Sequence, residues 1–153
     1  IEFMVTELQK KGVPVVTPPG GLGCHIDARA FLPHLSATDY PSGALGSALY
    51  LVSGIRGMER GTMSEQRAEN GEETLAHVEL LRLALPRRVF TMSHIKYAVD
   101  RIAWLYEHRE LVKGLTFVDE PKILRFFFGK LDTIGDWHTD LVTQFKKNFV
   151  DNP

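Results

Sequence analysis

The chain has 153 residues, 44% hydrophobic and 24% charged, with a net charge of −1 and a pI near 6.7. These values suit one globular domain with its own core and exclude strong long-range attraction to a nucleic acid or an anionic membrane. The single cysteine, Cys24, rules out an intrachain disulfide, and no apolar run approaches the ~18 residues of a membrane span.

In chain order, residues 1–11 carry Ile1, Met4 and Leu8 at helical spacing, and Gly12 ends the pattern. The chain opens inside this amphipathic segment, without an initiator methionine or a signal peptide's basic start, which suggests a fragment. Val13 to Val16 reads as a short strand, broken by Pro18-Pro19-Gly20-Gly21, and a second strand covers about Gly23 to Asp27. There Cys24 reads as a small buried hydrophobe. Pro41 suits the first turn of a helix through Ser53, with Leu45, Ala48, Leu49 and Val52 on its apolar face and Gly54 as a left-handed stop.

Ile55 to Met58 is expected to be extended, and residues 64–77 to form an exposed polar loop. Glu79 to Leu85 is the clearest strand: period two puts Leu81, Leu83 and Leu85 on one face and Arg82 on the other. The longest predicted helix runs from a Ser93 cap to Lys113, with Gly114 as its stop and Ile95, Ala98, Val99, Ile102 and Leu105 as its buried stripe. Strands are expected at Thr116–Val118 and Ile123–Phe128. A last helix begins near Asp136, with Trp137, Leu141, Phe145 and Phe149 at four-residue spacing. The pattern predicts an α+β fold, a small and mostly antiparallel sheet covered by helices.

Generic catalytic signatures are scarce. The six histidines form no i,i+4 pair and no cysteine cluster joins them, so a zinc site is not expected. Pro19-Gly20-Gly21-Leu22-Gly23 lies between strands and reads as a turn. Arg82 interrupts a leucine strand, where an unpaired guanidinium is costly to bury. It reads as an edge residue or structural ion pair, or as a carboxylate clamp whose planar fork matches two carboxylate oxygens. Arg60 reads by default as a surface residue beside Glu59. Phe126-Phe127-Phe128 would ordinarily be core, or would line an aromatic pocket.

Several segments together resemble a known family. They are Ser53-Gly54-Ile55-Arg56-Gly57-Met58-Glu59-Arg60-Gly61, Leu80-Leu81-Arg82-Leu83-Ala84-Leu85-Pro86-Arg87-Arg88-Val89-Phe90-Thr91, Lys113-Gly114-Leu115-Thr116-Phe117, and Glu120-Pro121-Lys122 through Leu124-Arg125-Phe126-Phe127. In this order they resemble the C-terminal domain of the tryptophanase/tyrosine phenol-lyase family of β-eliminating lyases, over about residues 1–131. Residues 132–153 are read as a helical C-terminal extension.

The resemblance implies the small C-terminal domain of a fold type I pyridoxal-phosphate enzyme that cleaves the Cβ–Cγ bond of tyrosine or tryptophan. It implies that Arg82 binds the substrate α-carboxylate, that Arg60 helps recognise a phenolic ring, and that Phe126 and Phe127 stand near that ring. It places the Schiff-base lysine, in a Ser-x-Lys-Lys motif, and the phosphate and potassium ligands in an N-terminal large domain absent from this sequence. The chain is therefore expected not to be catalytic alone. Expected partners are that large domain, an aromatic amino acid and further copies in a cytoplasmic homo-oligomer, with no nucleic acid and no membrane. The alternative is a stand-alone, non-catalytic, self-associating interaction domain derived from the family.

Overall fold

The computed structural model describes residues 1–151. The chain runs α1 (Glu2–Lys10), β1 (Gly23–Asp27), α2 (Ala28–Phe31), α3 (Pro41–Ser53), β2 (Met58–Arg60), β3 (Leu80–Ala84), α4 (Met92–Glu107), β4 (Leu115–Asp119), α5 (Arg125–Phe128), β5 (Lys130–Thr133) and α6 (Trp137–Phe149). It is α+β, as expected. Strands β1, β3 and β2 form an antiparallel sheet with β3 in the centre, and β4 and β5 form a separate antiparallel pair.

Alternation explains how the three-stranded sheet divides the molecule. Cys24 pairs with Leu83, and Ile26 and Glu59 both face Leu81. These residues are buried and look inward. His25 and Met58 flank Arg82 on either side, while Asp27 and Arg60 flank Leu80. These six residues therefore lie on the outer face. Cys24 is fully buried, and burial pushes its thiol up to about 11, far from the thiolate that a nucleophile needs.

Helix α3 is the central element and packs against α2, α4, α6 and the inner face of the sheet. It is buried along most of its length, from Pro41 through Val52. Proline at its first turn costs no hydrogen bond there, and Gly54 closes it at φ 72° with its amide on the Tyr50 carbonyl. Met4, Val5 and Leu8 of α1 and Val99, Ile102 and Leu105 of α4 complete the main core with Phe31, Trp137 and Leu141.

Four expected elements differ. The long helix begins at Met92 and ends at Glu107, followed by a 3₁₀ turn at Arg109–Leu111, so neither the Ser93 cap nor the Gly114 stop is used. Thr91 caps it instead, its amide donating to His94 Nδ1 at 3.1 Å. Val13 to Val16 contributes only one bridge, Val15 to Ile26. The expected extended run at Ile55 becomes a strand only at Met58. Ile123 to Phe128 is not a strand: Leu124 is left-handed at φ 56° and Arg125–Phe128 form a helical turn. The partner of β4 is β5, in a run that carried no strand expectation.

Strand β5 spans residues 131 and 132, and α6 follows it directly onto the core. Trp137 donates to the Gly114 carbonyl at 3.1 Å. The Arg101 guanidinium of α4 lies 3.8 Å from the Phe149 ring centre and 5.2 Å from that of Phe145, so cation–π contacts join α4 to the last helix.

Candidate functional site

The outer face of the sheet floors a cavity of about 570 Å³, lined by His25, Met58, Arg60, His77, Leu80 and Arg82 among others. Strand register brings the two expected arginines together. Met58 sits opposite Arg82 and Arg60 opposite Leu80, so Arg60 is the diagonal neighbour of Arg82 on the same face. Diagonal pairs stand roughly 7–8 Å apart at Cα, within reach of long side chains.

Arg82 is half-buried, yet the polar contact of its side chain is a long approach of Nη1 to Met58 Sδ, at 3.9 Å. No carboxylate among the described residues pairs with it or with Arg60. Two guanidiniums and two imidazoles thus line one cavity, with the exposed Glu65 as its only acidic residue. A half-buried guanidinium without an anion favours a ligand that supplies one, and its fork suits a carboxylate.

The aromatic residues stand next door. Phe126 and Phe127 line a second cavity of about 250 Å³ with Met58, Glu59, Arg60 and Ser64. Arg60 and Met58 belong to both cavities, so all four expected site residues fall in one continuous region. Phe126 is half-buried against the core, whereas Phe127 is 69% exposed. Their rings meet edge to face at 5.0 Å. Leu22, in the glycine-rich turn, is well exposed and lines neither cavity.

Two residues that sequence reasoning passed over organise this region. Arg125, 1% exposed, is the larger surprise. Its Nε donates to the Glu65 carbonyl at 2.6 Å and Nη2 to the Thr62 carbonyl at 2.8 Å, while Nη1 reaches Glu120 at 2.7 Å and Nη2 also pairs with Glu73. Arg67 bridges the same two carboxylates, at 2.8 Å from Glu120 and 3.2 Å from Glu73, and the Tyr40 hydroxyl donates to Glu73 at 2.8 Å. Burial raises the Tyr40 phenol to about 12, helped by that hydrogen bond. The polar loop expected to be exposed is thus tied down at Glu73. The tie runs to the residue immediately before the Phe126-Phe127 wall.

The second is Glu59, 6% exposed, with neither carboxylate oxygen hydrogen-bonded. It does not lie beside Arg60 on the surface, because the two point to opposite faces of β2. Burial pushes its carboxyl up to about 7. The Ser64 hydroxyl and Gly61 amide lie near enough to oppose that rise, and the neighbouring Glu79 adds to it. The Ser64 hydroxyl is engaged elsewhere, donating to the Gly61 carbonyl at 2.9 Å.

Glu79 itself is buried but satisfied. It accepts from the Ser42 hydroxyl at 2.7 Å, the Ser42 amide at 3.3 Å and the Thr62 amide at 2.8 Å, which pins the start of α3 to the segment after β2. Gly61 makes this possible, since a Cβ there would overlap the Glu79 carboxylate.

Among the described residues no group of three or more His, Cys, Asp or Glu side chains is arranged to hold a metal ion. None of their helices is long and apolar enough to cross a membrane. The fold and the site define a small α+β domain that carries two arginines on one sheet face beside a pair of phenylalanines.

Comparison with known proteins names the family. The chain is 45% identical over 134 residues to the tyrosine phenol-lyase of Lacrimispora saccharolytica, covering 86% of the chain and 29% of that enzyme. It is 40% identical over 131 residues to that of Pasteurella multocida, covering 85% and 29%. It is also 40% identical over 136 residues to that of Symbiobacterium thermophilum, covering 88% and 30%. No family model matches the chain. The chain belongs to the tyrosine phenol-lyase family of β-eliminating lyases, as a C-terminal domain, and spans under a third of the length of these relatives.

Proposed function

We propose that this chain is the substrate-clamping part of a pyridoxal-phosphate-dependent β-eliminating lyase acting on an aromatic amino acid, and that it is not catalytic alone. The observation that carries the proposal is Arg82, half-buried on the outer sheet face with no anionic partner, in a cavity it shares with Arg60. Arg82 grips the substrate α-carboxylate through its fork. Arg60 and the Phe126-Phe127 wall hold the aromatic ring on the far side of Met58. The names of the relatives favour tyrosine over tryptophan.

Pyridoxal phosphate, once bound as a Schiff base, would supply an electron sink. No lysine is among the residues lining the arginine cavity, so this chain's own residues do not fit the attachment of that group. In this proposal the lysine, the phosphate ligands and any potassium ligands belong to the N-terminal large domain of a cytoplasmic, homo-oligomeric enzyme. What this domain contributes is orientation and charge.

The test is binding of 3-phenylpropionate to the chain, followed by NMR. Arg82→Met removes a charge-assisted hydrogen bond worth about 1.5–3 kcal/mol, so affinity should fall ten- to a hundredfold. Arg82→Lys should recover only part of it, because an ammonium lacks the fork. Unchanged affinity in Arg82→Met would overturn the clamp.

One observation favours the second reading, a self-associating interaction domain. Ile123, Phe127 and Phe128, with Val118 of β4, are all more than 60% exposed, which is much apolar surface for one end of a small domain. On that reading the chain elutes from gel filtration as a dimer or larger species, and Phe127→Ser with Phe128→Ser returns it to a monomer. A monomeric wild-type chain removes the reading.

A further inference from the structure

Arg82 is flanked by a side chain that the clamp does not use. His25 of β1 stands directly opposite it across the sheet, on the same outer face. The His25 carbonyl accepts the Val16 amide at 2.9 Å, and the Asp27 amide donates to the Pro14 carbonyl at 3.0 Å. Both residues thus turn their backbone away from β3. His25 and Arg82 are therefore a non-hydrogen-bonded pair, the arrangement in which opposite Cα atoms come within about 4.5 Å and side chains run closest. Both side chains line the cavity of about 570 Å³.

The pair is unmatched on its own. Neither ring nitrogen of the half-buried His25 meets a hydrogen-bond partner among the described residues, and the Arg82 guanidinium does not donate to it. The nearby acids do not bridge the two. Asp27, next along the same face of β1, accepts the Ala30 amide at 3.0 Å and so caps α2. Glu65, the one acid lining the cavity, is exposed and pairs with neither. Two basic side chains opposite each other, with no acid between them, form a site that an anion completes.

A carboxylate has work for both. It presents about four lone-pair sites on two oxygens, and a guanidinium fork occupies one on each. The other two remain inside a cavity, where leaving them without a donor costs affinity. A histidine offers an N–H in either protonation state, and from the adjacent strand it reaches the carboxylate from beside the fork. His77 is less suited to this part, since it is exposed and precedes β3 instead of lying on it.

We propose that His25 is a second binding residue for the carboxylate that Arg82 takes, its ring N–H donating to an oxygen that the guanidinium fork already holds. The proposal rests on the clamp and adds to it a preference for a carboxylate over a neutral group of the same shape. A carboxamide has a single oxygen to share, and its N–H groups would face the donors of both residues.

The test is NMR titration of the whole chain with 3-phenylpropionate and with 3-phenylpropionamide, its neutral analogue. His25→Phe keeps a flat ring on the strand and removes the N–H. It should weaken the propionate about tenfold, as for a hydrogen bond to a charged group, and leave the amide unchanged. His25→Gln restores a side-chain N–H and should recover part of the loss. The nitrogen resonances of the His25 ring should shift on adding the propionate and stay in place with the amide. Combined with Arg82→Met, the two losses should not add, because both residues hold the same carboxylate.

A His25→Phe chain that binds the propionate as tightly as the wild type, or that loses the amide equally, overturns the role of His25. If Arg82→Met still weakens the propionate, the clamp stands without it; if Arg82→Met changes nothing, the clamp itself fails. Should His25→Phe not fold, the wild-type ring nitrogens decide, and resonances that the propionate leaves unmoved overturn the assignment. A wild-type chain that binds neither probe at millimolar concentration overturns both readings.

Discussion

Arg125→Met is expected to cost the domain about 3–5 kcal/mol, the range seen when one member of a buried charge network is removed and its partners stay behind. Two carboxylates, Glu73 and Glu120, would keep only Arg67 and Tyr40 as partners, and the carbonyls of Thr62 and Glu65 would lose their donor. Methionine preserves most of the volume, so a cavity would not explain the loss. Urea denaturation reads it as a lower midpoint. Hydrogen exchange should show the damage concentrated in residues 62–79, the segment that the guanidinium holds. Arg125→Lys keeps a charge but cannot reach four acceptors at once, and should fall between the two. A loss below about 1 kcal/mol would show that Arg67 carries the network and that Arg125 is incidental.

The second large effect is a pH dependence centred on Glu59. Its folded pKa is raised, by burial above all, from an ordinary 4.5 to about 7. Between those values the folded state holds a proton that the unfolded chain has released. Stability is therefore fully present below about pH 4.5, declines as the pH rises through the interval, and is lower by about 3 kcal/mol above pH 7. Glu59→Gln abolishes the titration but leaves an amide without a partner. It should gain about 1–3 kcal/mol over the wild type at pH 8 and lose that advantage near pH 5. Thermal melts of both proteins at pH 5, 6.5 and 8 measure this directly. A difference that stays constant across the three would falsify the assignment of the shift to this carboxyl.

The parts of this molecule legible in its sequence are those where one local signal decides. Leu81, Arg82 and Leu83 alternate, so the strand and its faces were plain. Pro41 and Gly54 bracket a helix whose ends need no tertiary help. The Ile123–Phe128 run is not a strand, because a left-handed Leu124 turns the chain so that Arg125 can enter an acidic pocket. That pocket is assembled from Glu73, 52 residues away, and Glu120, and no local pattern joins them. Family motifs did point to Arg60, Arg82 and the phenylalanines. The structure adds a reason they belong together, since a single ladder register places both arginines on one face with Met58 between the two cavities. Glu59 escaped notice because a glutamate beside an arginine reads as an ordinary surface pair. Only burial shows that it faces the other way.

The last helix carries a consequence of its own. Trp137 and Leu141 belong to the same core as Phe31 and Leu45, and Arg101 of α4 is sandwiched against Phe149. Anyone preparing this domain for crystals, fusions or complementation would be tempted to trim it at residue 131, where the motif resemblance stops. That cut would split β5 and uncover the indole-lined flank of α3 and α4, inviting aggregation in the expression host. Affinity tags and fusion partners belong beyond residue 151, and the segment from 132 onward is best treated as part of the scaffold, since it packs on α3 beneath the sheet.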